Sequence, residues 1–202
     1  TADDTLMRID TNSMIRGACM LCQSLDIKTI IIGIEDNKPE ALEAIESALK
    51  EARSDCYFDI VLLDTKYPSG SERHLVWLTL GIEVPTGSGA VESGVIVHNP
   101  GTLAALSRAI DGKPITDRIV TLTGEALTAP QNVIVPIGTP VSHLIEATDT
   151  NPESLTTLSN SATSSLLVST QFEKVVMSRQ SFRSNQAIVS SATFASIMRV
   201  RG

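Results

Sequence analysis

Two turns carry residue types suited to a ligand site at the end of a sheet. At Tyr67–Glu72, Tyr67 offers a flat face with a polar tip and Gly70 allows close backbone approach. At His98–Thr102, Asn99 and Thr102 place an amide and a hydroxyl at a helix start. A third turn, Gly33–Asn37, adds Glu35 and Asp36 as hydroxyl acceptors. All three fall where a strand's C-terminal end meets a helix, the edge at which doubly wound sheets bind ligands. Each also has a purely structural reading: Asn99 as an N-cap, a common use of that residue, and Tyr67 as a turn aromatic.

The other chemistry-bearing residues are sparser. Cys19-x-x-Cys22 falls inside a helical pattern on its apolar face, where free cysteine behaves as a small hydrophobe. A thioredoxin-like pair needs an exposed, electropositive helix start. A zinc or iron–sulfur site needs about four ligands, and only Cys56 remains. His74, His98 and His143 are far apart in sequence, and only His98 adjoins a candidate turn. The chain shows no nucleophile elbow, no P-loop and no H-E-x-x-H pair.

The positioning elements follow from hydrophobic period. Asp3–Leu25 reads as helix, with a break near Asp10–Ser13. Thr29–Ile34 is short, continuous and β-branched, as a strand buried on both faces should be. Pro39 opens a helix capped by Asp36 or Asn37, with an apolar stripe from Ala41 to Ala52. A strand at Tyr57–Leu63, a helix at Glu72–Leu80 closed by Gly81, a strand at Val95–His98 and a helix to Ile110 complete an α/β pattern. The expected fold is a Rossmann-like parallel sheet with helices on both faces.

The pattern changes near Lys113. Strands are expected at Arg118–Thr123 and Val133–Ile137, then a short helix at Pro140–Ala147. Further strands are expected at Leu166–Ser169, Lys174–Met177 and Ala187–Ser190, after a Ser/Thr-rich stretch that also suits a linker. The domains are therefore drawn as 1–112, α/β, and 113–202, small α+β.

The chain has 202 residues, 42% hydrophobic and only 3% aromatic, so aliphatic side chains must build the core. Its net charge of −7 argues against a nucleic-acid partner, which needs clustered Lys and Arg. No apolar run approaches a bilayer span. Three cysteines make no secreted framework, which reads as a soluble chain in a reducing compartment. Without an initiator Met, the sequence is expected to be a piece of a longer protein.

Several segments, in order, resemble one family. They are Thr1–Met7, Ile32–Ala41, Thr65–Glu72, Gly81–Pro85, Asn99–Thr102, Val120–Ala126 and Ile137–Val141. Together they resemble the C subunit of the Rnf (Rsx) ion-translocating electron-transport complex, over residues 1 to about 148. The resemblance implies an FMN-binding α/β domain like that of the complex I flavoprotein. A β-grasp domain of the soluble-ligand-binding type would follow it. It implies exchange of hydride between NAD(H) and FMN, then of electrons with 4Fe-4S clusters. Expected partners are the other Rnf subunits, with ferredoxin or NADH as redox partners. The expected place is peripheral, on the cytoplasmic face of the inner membrane. By match, Tyr67, Gly70, Ser71 and Glu72 would line the flavin pocket, with Asn99 and Thr102 opposite.

Ser71 stands where the family usually has Gly, and Pro100 where it has Val. The family's Gly-rich nucleotide loop would precede residue 1, and its cluster-binding cysteines would follow residue 202. The isolated chain is therefore expected to be inactive and to hold flavin weakly. The last fifty residues are expected to depart from the family, since Val175–Arg179 replaces a Gly-rich turn. A non-catalytic docking or ligand-binding module is the alternative, and a Cys19/Cys22 thiol redox protein a third reading.

Overall fold

A computed structural model describes residues 2–123, 127–148, 167–169, 175–178 and 195–199. The chain divides into two compact units, one of Asp3–Pro114 with Phe172–Gly202, the other of Thr1–Ala2 with Ile115–Gln171.

In the larger unit, α1 (Ala2–Ile9) and α2 (Thr11–Ser24) are separated at Asp10, whose φ of −137° leaves the helical region. The break falls at the start of the segment expected from sequence. Asp10 then accepts a hydrogen bond from Arg108 at 2.7 Å. Helix α2 turns Met14, Ile15, Gly17, Ala18 and Cys22 inward. Its main partner is α5 (Pro100–Ile110), which buries Leu103, Ala104 and Ala105. Each fully buried large aliphatic stabilises by about 1.5–3 kcal/mol. Gly17 sets the approach: a Cβ there would lie 2.0 Å from the Leu103 carbonyl oxygen. Arg16 adds a two-pronged bond to Asp111, 2.6 Å on each side, which holds the Asp111 carboxyl below its usual range.

Strand β1 (Thr29–Glu35) buries every residue from Ile30 to Glu35. Because alternate side chains face opposite ways, both faces are covered. After α3 (Pro39–Glu51) comes β2 (Tyr57–Leu63), parallel to β1, with Thr29 opposite Tyr57 and Glu35 opposite Leu63. Helix α4 (Glu72–Leu80) ends at Gly81, whose φ of +60° suits glycine. A 3-10 turn (Ala90–Ser93) leads into β3 (Val95–His98) and α5.

With β7 (Val175–Ser178) and β8 (Ala195–Arg199) the sheet order is β2-β1-β8-β3-β7. Strand β8 is antiparallel to both β1 and β3, and β7 is antiparallel to β3. The expected parallel sheet is present in β1 and β2, and the antiparallel β7 and β8 correct the sheet as a whole to a mixed one. Strands β1, β2 and β3 do share one direction. The intruding strand comes from about 100 residues past β3, and no local pattern in β1 or β3 names a distant neighbour. It also places residues 175–178 and 195–199 in the first sheet, where the linear pattern assigns them to the second domain. Among the described residues β2 pairs with β1 alone, and its Tyr57 and Leu62 are more than half exposed.

In the smaller unit, β4 (Asp117–Thr123) lies between β5 (Gln131–Pro136) and β6 (Leu167–Ser169), both antiparallel to it. Val120, Leu122, Leu127 and Val135 form its core, with Leu144 of α6 (Val141–Glu146) packed against it. The strand expected at 187–190 and the Ser/Thr-rich stretch at 151–165 lie outside the described residues.

Candidate functional site

The three directional strands end at one edge. Glu35 pairs with Leu63, and Ser196 of β8 pairs with Ile32 on one side and His98 on the other. The loops after β1, β2 and β3 therefore leave the sheet on the same side. From β2 to β3 is three strand spacings, about 14 Å.

The first two loops are joined. Asp36 Oδ1 accepts from the Thr65 hydroxyl at 2.6 Å and from the Thr65 N–H at 3.2 Å. Asp36 N–H donates to the Leu63 carbonyl at 2.9 Å. The Thr65 hydroxyl bond holds the Asp36 carboxyl below its ordinary range. Sequence offers Asp36 or Asn37 as the cap for α3. Lys38 occupies that position without a side-chain cap, because the Asp36 carboxylate is directed across to the neighbouring loop. Glu35 is buried at the strand end, with the Lys38 ammonium 4.0 Å from its carboxylate.

The turn at Tyr67–Glu72 contains a cis Tyr67–Pro68 peptide. Ser69 N–H donates to the Lys66 carbonyl at 2.8 Å, Ser69 Oγ donates to the same oxygen, and Ser71 N–H donates to the Pro68 carbonyl at 2.8 Å. This double turn leaves the Tyr67 side chain 92% exposed and Gly70 half-buried. Ser71 begins α4 in extended conformation, and its hydroxyl shares a 2.8 Å hydrogen bond with His74 Nδ1. The Glu72 carboxylate accepts from Ala90 N–H at 3.2 Å, tying α4 to the 3-10 turn.

The turn at Asn99–Thr102 is built differently. Asn99 Oδ1 accepts from Gly101 N–H at 2.7 Å, and its backbone carbonyl accepts from the Thr102 and Leu103 N–H groups. Asn99 Nδ2 donates to Asp3 at 2.8 Å, so a buried acid of α1 holds the other end of the amide. The free amides that make a helix start an anion site are taken up here. The Thr102 side chain is exposed beside them. His98 is half-buried just before the turn, and burial lowers its pKa.

Sequence reasoning thus locates three turns on one edge, and the structure joins two of them directly. It misses Asp3 and Thr65. Asp3 has no local signal, since its partner is 96 positions away. Among the described residues no group of histidines, cysteines and acids is set to hold a metal ion, and no helix is long and apolar enough to cross a membrane.

Residues 1–108 match the family model described as the Nuo51 FMN-binding domain. Three bacterial relatives are each named as the C subunit of an ion-translocating oxidoreductase complex. The one from Erwinia tasmaniensis is 44% identical over 147 residues, which is 72% of this chain and 18% of the relative. That from Pectobacterium atrosepticum is 48% identical over 147 residues, 72% of this chain and 21% of the relative. That from Serratia proteamaculans is 44% identical over 154 residues, 76% of this chain and 22% of the relative. The chain therefore spans about a fifth of these relatives' length. The chain belongs to the family of the Nuo51 FMN-binding domain, and it is similar to the C subunits of ion-translocating oxidoreductase complexes.

Proposed function

We propose that this chain forms part of the flavin site of an electron-transfer subunit. In the whole protein, electrons would pass between NAD(H), FMN and 4Fe-4S clusters in a ferredoxin:NAD oxidoreductase that moves ions across a membrane. Its partners would be the other subunits of the complex, with ferredoxin or NADH as redox partner, and its place the cytoplasmic membrane face. The observation that carries this reading is the shared edge of the turns at 67–72 and 99–102 in a chain of this family.

The residues present suit one part of FMN and not another. Tyr67 offers an exposed aromatic face to a planar ring, where offset stacking contributes about 0.5–1.5 kcal/mol. Gly70 leaves room for ring or polyol, and the exposed Thr102 hydroxyl can bond a ribityl oxygen. Ser71 and Glu72 set the direction of α4, and Asn99 positions α5 through its bonds to Gly101 and Asp3. The phosphate finds no cradle at α5, whose first N–H groups are bonded to Asn99. Exposed Asp36 and Asp64 add negative charge to that edge. We assign the phosphate to other residues of the whole protein. FMN, when bound, exchanges electrons in pairs or singly, which suits a carrier between nicotinamide and clusters.

The smaller unit fits a β-grasp reading, with an antiparallel sheet in the order β5-β4-β6 and, among the described residues, one short helix. We propose it as the soluble-ligand-binding module of the whole protein.

The test uses the intact subunit loaded with flavin and clusters. Rapid mixing with NADH or reduced ferredoxin should bleach the flavin absorbance, and Tyr67→Ala should lower flavin occupancy several-fold. A loaded subunit that takes electrons from neither donor would overturn the assignment.

A further inference from the structure

Helices α2 and α3 meet along a gap rather than a closed seam. On α2 the residues lining it are Asn12, Ile15, Arg16, Cys19, Met20 and Gln23, which fall on one stripe at helical spacing. On α3 they are Ala48, Glu51 and Ala52, followed at once by Arg53. Two alanines one turn apart are too small to fill the space opposite the longer α2 side chains. A cavity of about 470 Å³ remains, open to solvent. Small-molecule sites span roughly 300–1,000 Å³. Helix α3 runs back from the strand-end edge, so its last turn and this cavity lie at the opposite end of the sheet.

The lining divides into a floor and a rim. Ile15 and Ala48 are buried in the main core, and Cys19 and Ala52 pack against it, so the floor is apolar. Met20 is half-buried beside them, an unbranched side chain that adapts to the shape of an apolar body. Among the described residues no aromatic side chain lines the cavity, so a flat ring finds no stacking partner there.

The rim carries charge of both signs. Arg16 is committed to Asp111 through both terminal guanidinium nitrogens. Glu51 and Arg53 are exposed, and among the described residues neither forms an ion pair. They stand at the same mouth without bonding each other. A simple anion would be repelled by Glu51, and a simple cation by Arg53. A molecule carrying both charges satisfies both residues.

We propose that this cavity binds a short aliphatic peptide with free ends, its carboxylate on Arg53, its ammonium on Glu51 and its side chains on the floor. The guanidinium fork matches a carboxylate in geometry as well as charge. The Asn12 and Gln23 amides, each both donor and acceptor, can bond the peptide group between the ends. A single amino acid would hold both charges on one carbon and leave most of the space empty. A dipeptide separates the charges and supplies two apolar side chains.

This site is independent of the flavin reading, and its test needs no flavin. The probe is leucyl-leucine, titrated into the native chain and followed by amide chemical shifts and by the rate at which iodoacetamide alkylates Cys19. Saturable shifts are expected in residues 12–23 and 48–53, with Cys19 alkylation slowed several-fold. Arg53→Gln and Glu51→Gln should each weaken binding several-fold. Acetylating the probe's amine or amidating its carboxylate should do the same. Ala48→Leu fills the cavity and should abolish binding; if that variant does not fold, the two surface substitutions decide. No saturable shifts at the two helices, equal binding of the acetylated probe, or a Cys19 rate unchanged by saturating dipeptide would each overturn the proposal.

Discussion

The turns after β2 and β3 leave the same edge of one sheet, yet they use their polar groups in opposite ways. At Asn99–Thr102 the amide of Asn99 is occupied at both ends, by Gly101 and by Asp3, and the first helical N–H groups are bonded inward. At Tyr67–Glu72 the backbone closes on itself through Lys66 and Pro68, which leaves Tyr67 almost fully exposed. One turn holds the scaffold together, and the other leaves its aromatic ring open to solvent, where the proposed flavin would meet it. A residue type associated with binding can therefore serve the fold, and only its partners distinguish the two uses.

Substitutions should separate these roles, and the largest effect is expected beneath the Asn99 turn. Gly17→Ala drives a methyl group into the Leu103 carbonyl and should cost about 3 kcal/mol in urea unfolding. An unchanged midpoint would mean that α2 and α5 do not meet as closely as described. Asn99→Ala removes the cap and the Asp3 bond, and should cost about 1–2 kcal/mol by the same measurement. Tyr67→Ala should change stability by less than about 0.5 kcal/mol while weakening flavin binding several-fold, as fluorescence titration would report. If Tyr67→Ala unfolds the chain and Asn99→Ala leaves it intact, the assignment of roles is reversed.

The smallest effect concerns pH. Burial lowers the His98 pKa from 6.5, so below that value the unfolded chain binds a proton more readily than the folded one. Stability should fall as pH drops from about 6.5 toward the depressed value, and be flat in this term above it. His98→Gln should remove that slope in unfolding followed at several pH values. A slope that survives the substitution would locate the titration elsewhere.

Much of the fold is legible in the sequence because its signals are local. The continuous apolar run of Ile30–Ile34, the Pro39 helix start, the Gly81 stop and the break at Asp10 each declare themselves within a few residues. The mixed sheet is not legible, because β8 arrives from a distant segment and pairs through backbone groups that every residue carries. The site is legible as a set of turns and not as a set of contacts. Asp36 looks like a cap for the helix that follows it, but its carboxylate bonds Thr65, 29 positions on. The Cys19-x-x-Cys22 spacing reads as an apolar helix face, and the structure buries Cys22 fully in the main core.

Mapping FMN onto the chain by amide chemical shifts tests the shared edge most directly, and works even for weak binding. On titration with FMN, the largest shifts should fall in residues 64–71 and 99–102, and Tyr67→Ala should reduce them. Shifts confined to the β4–β5 hairpin, or to α3 away from its start, would contradict the placement of the ligand at the strand ends.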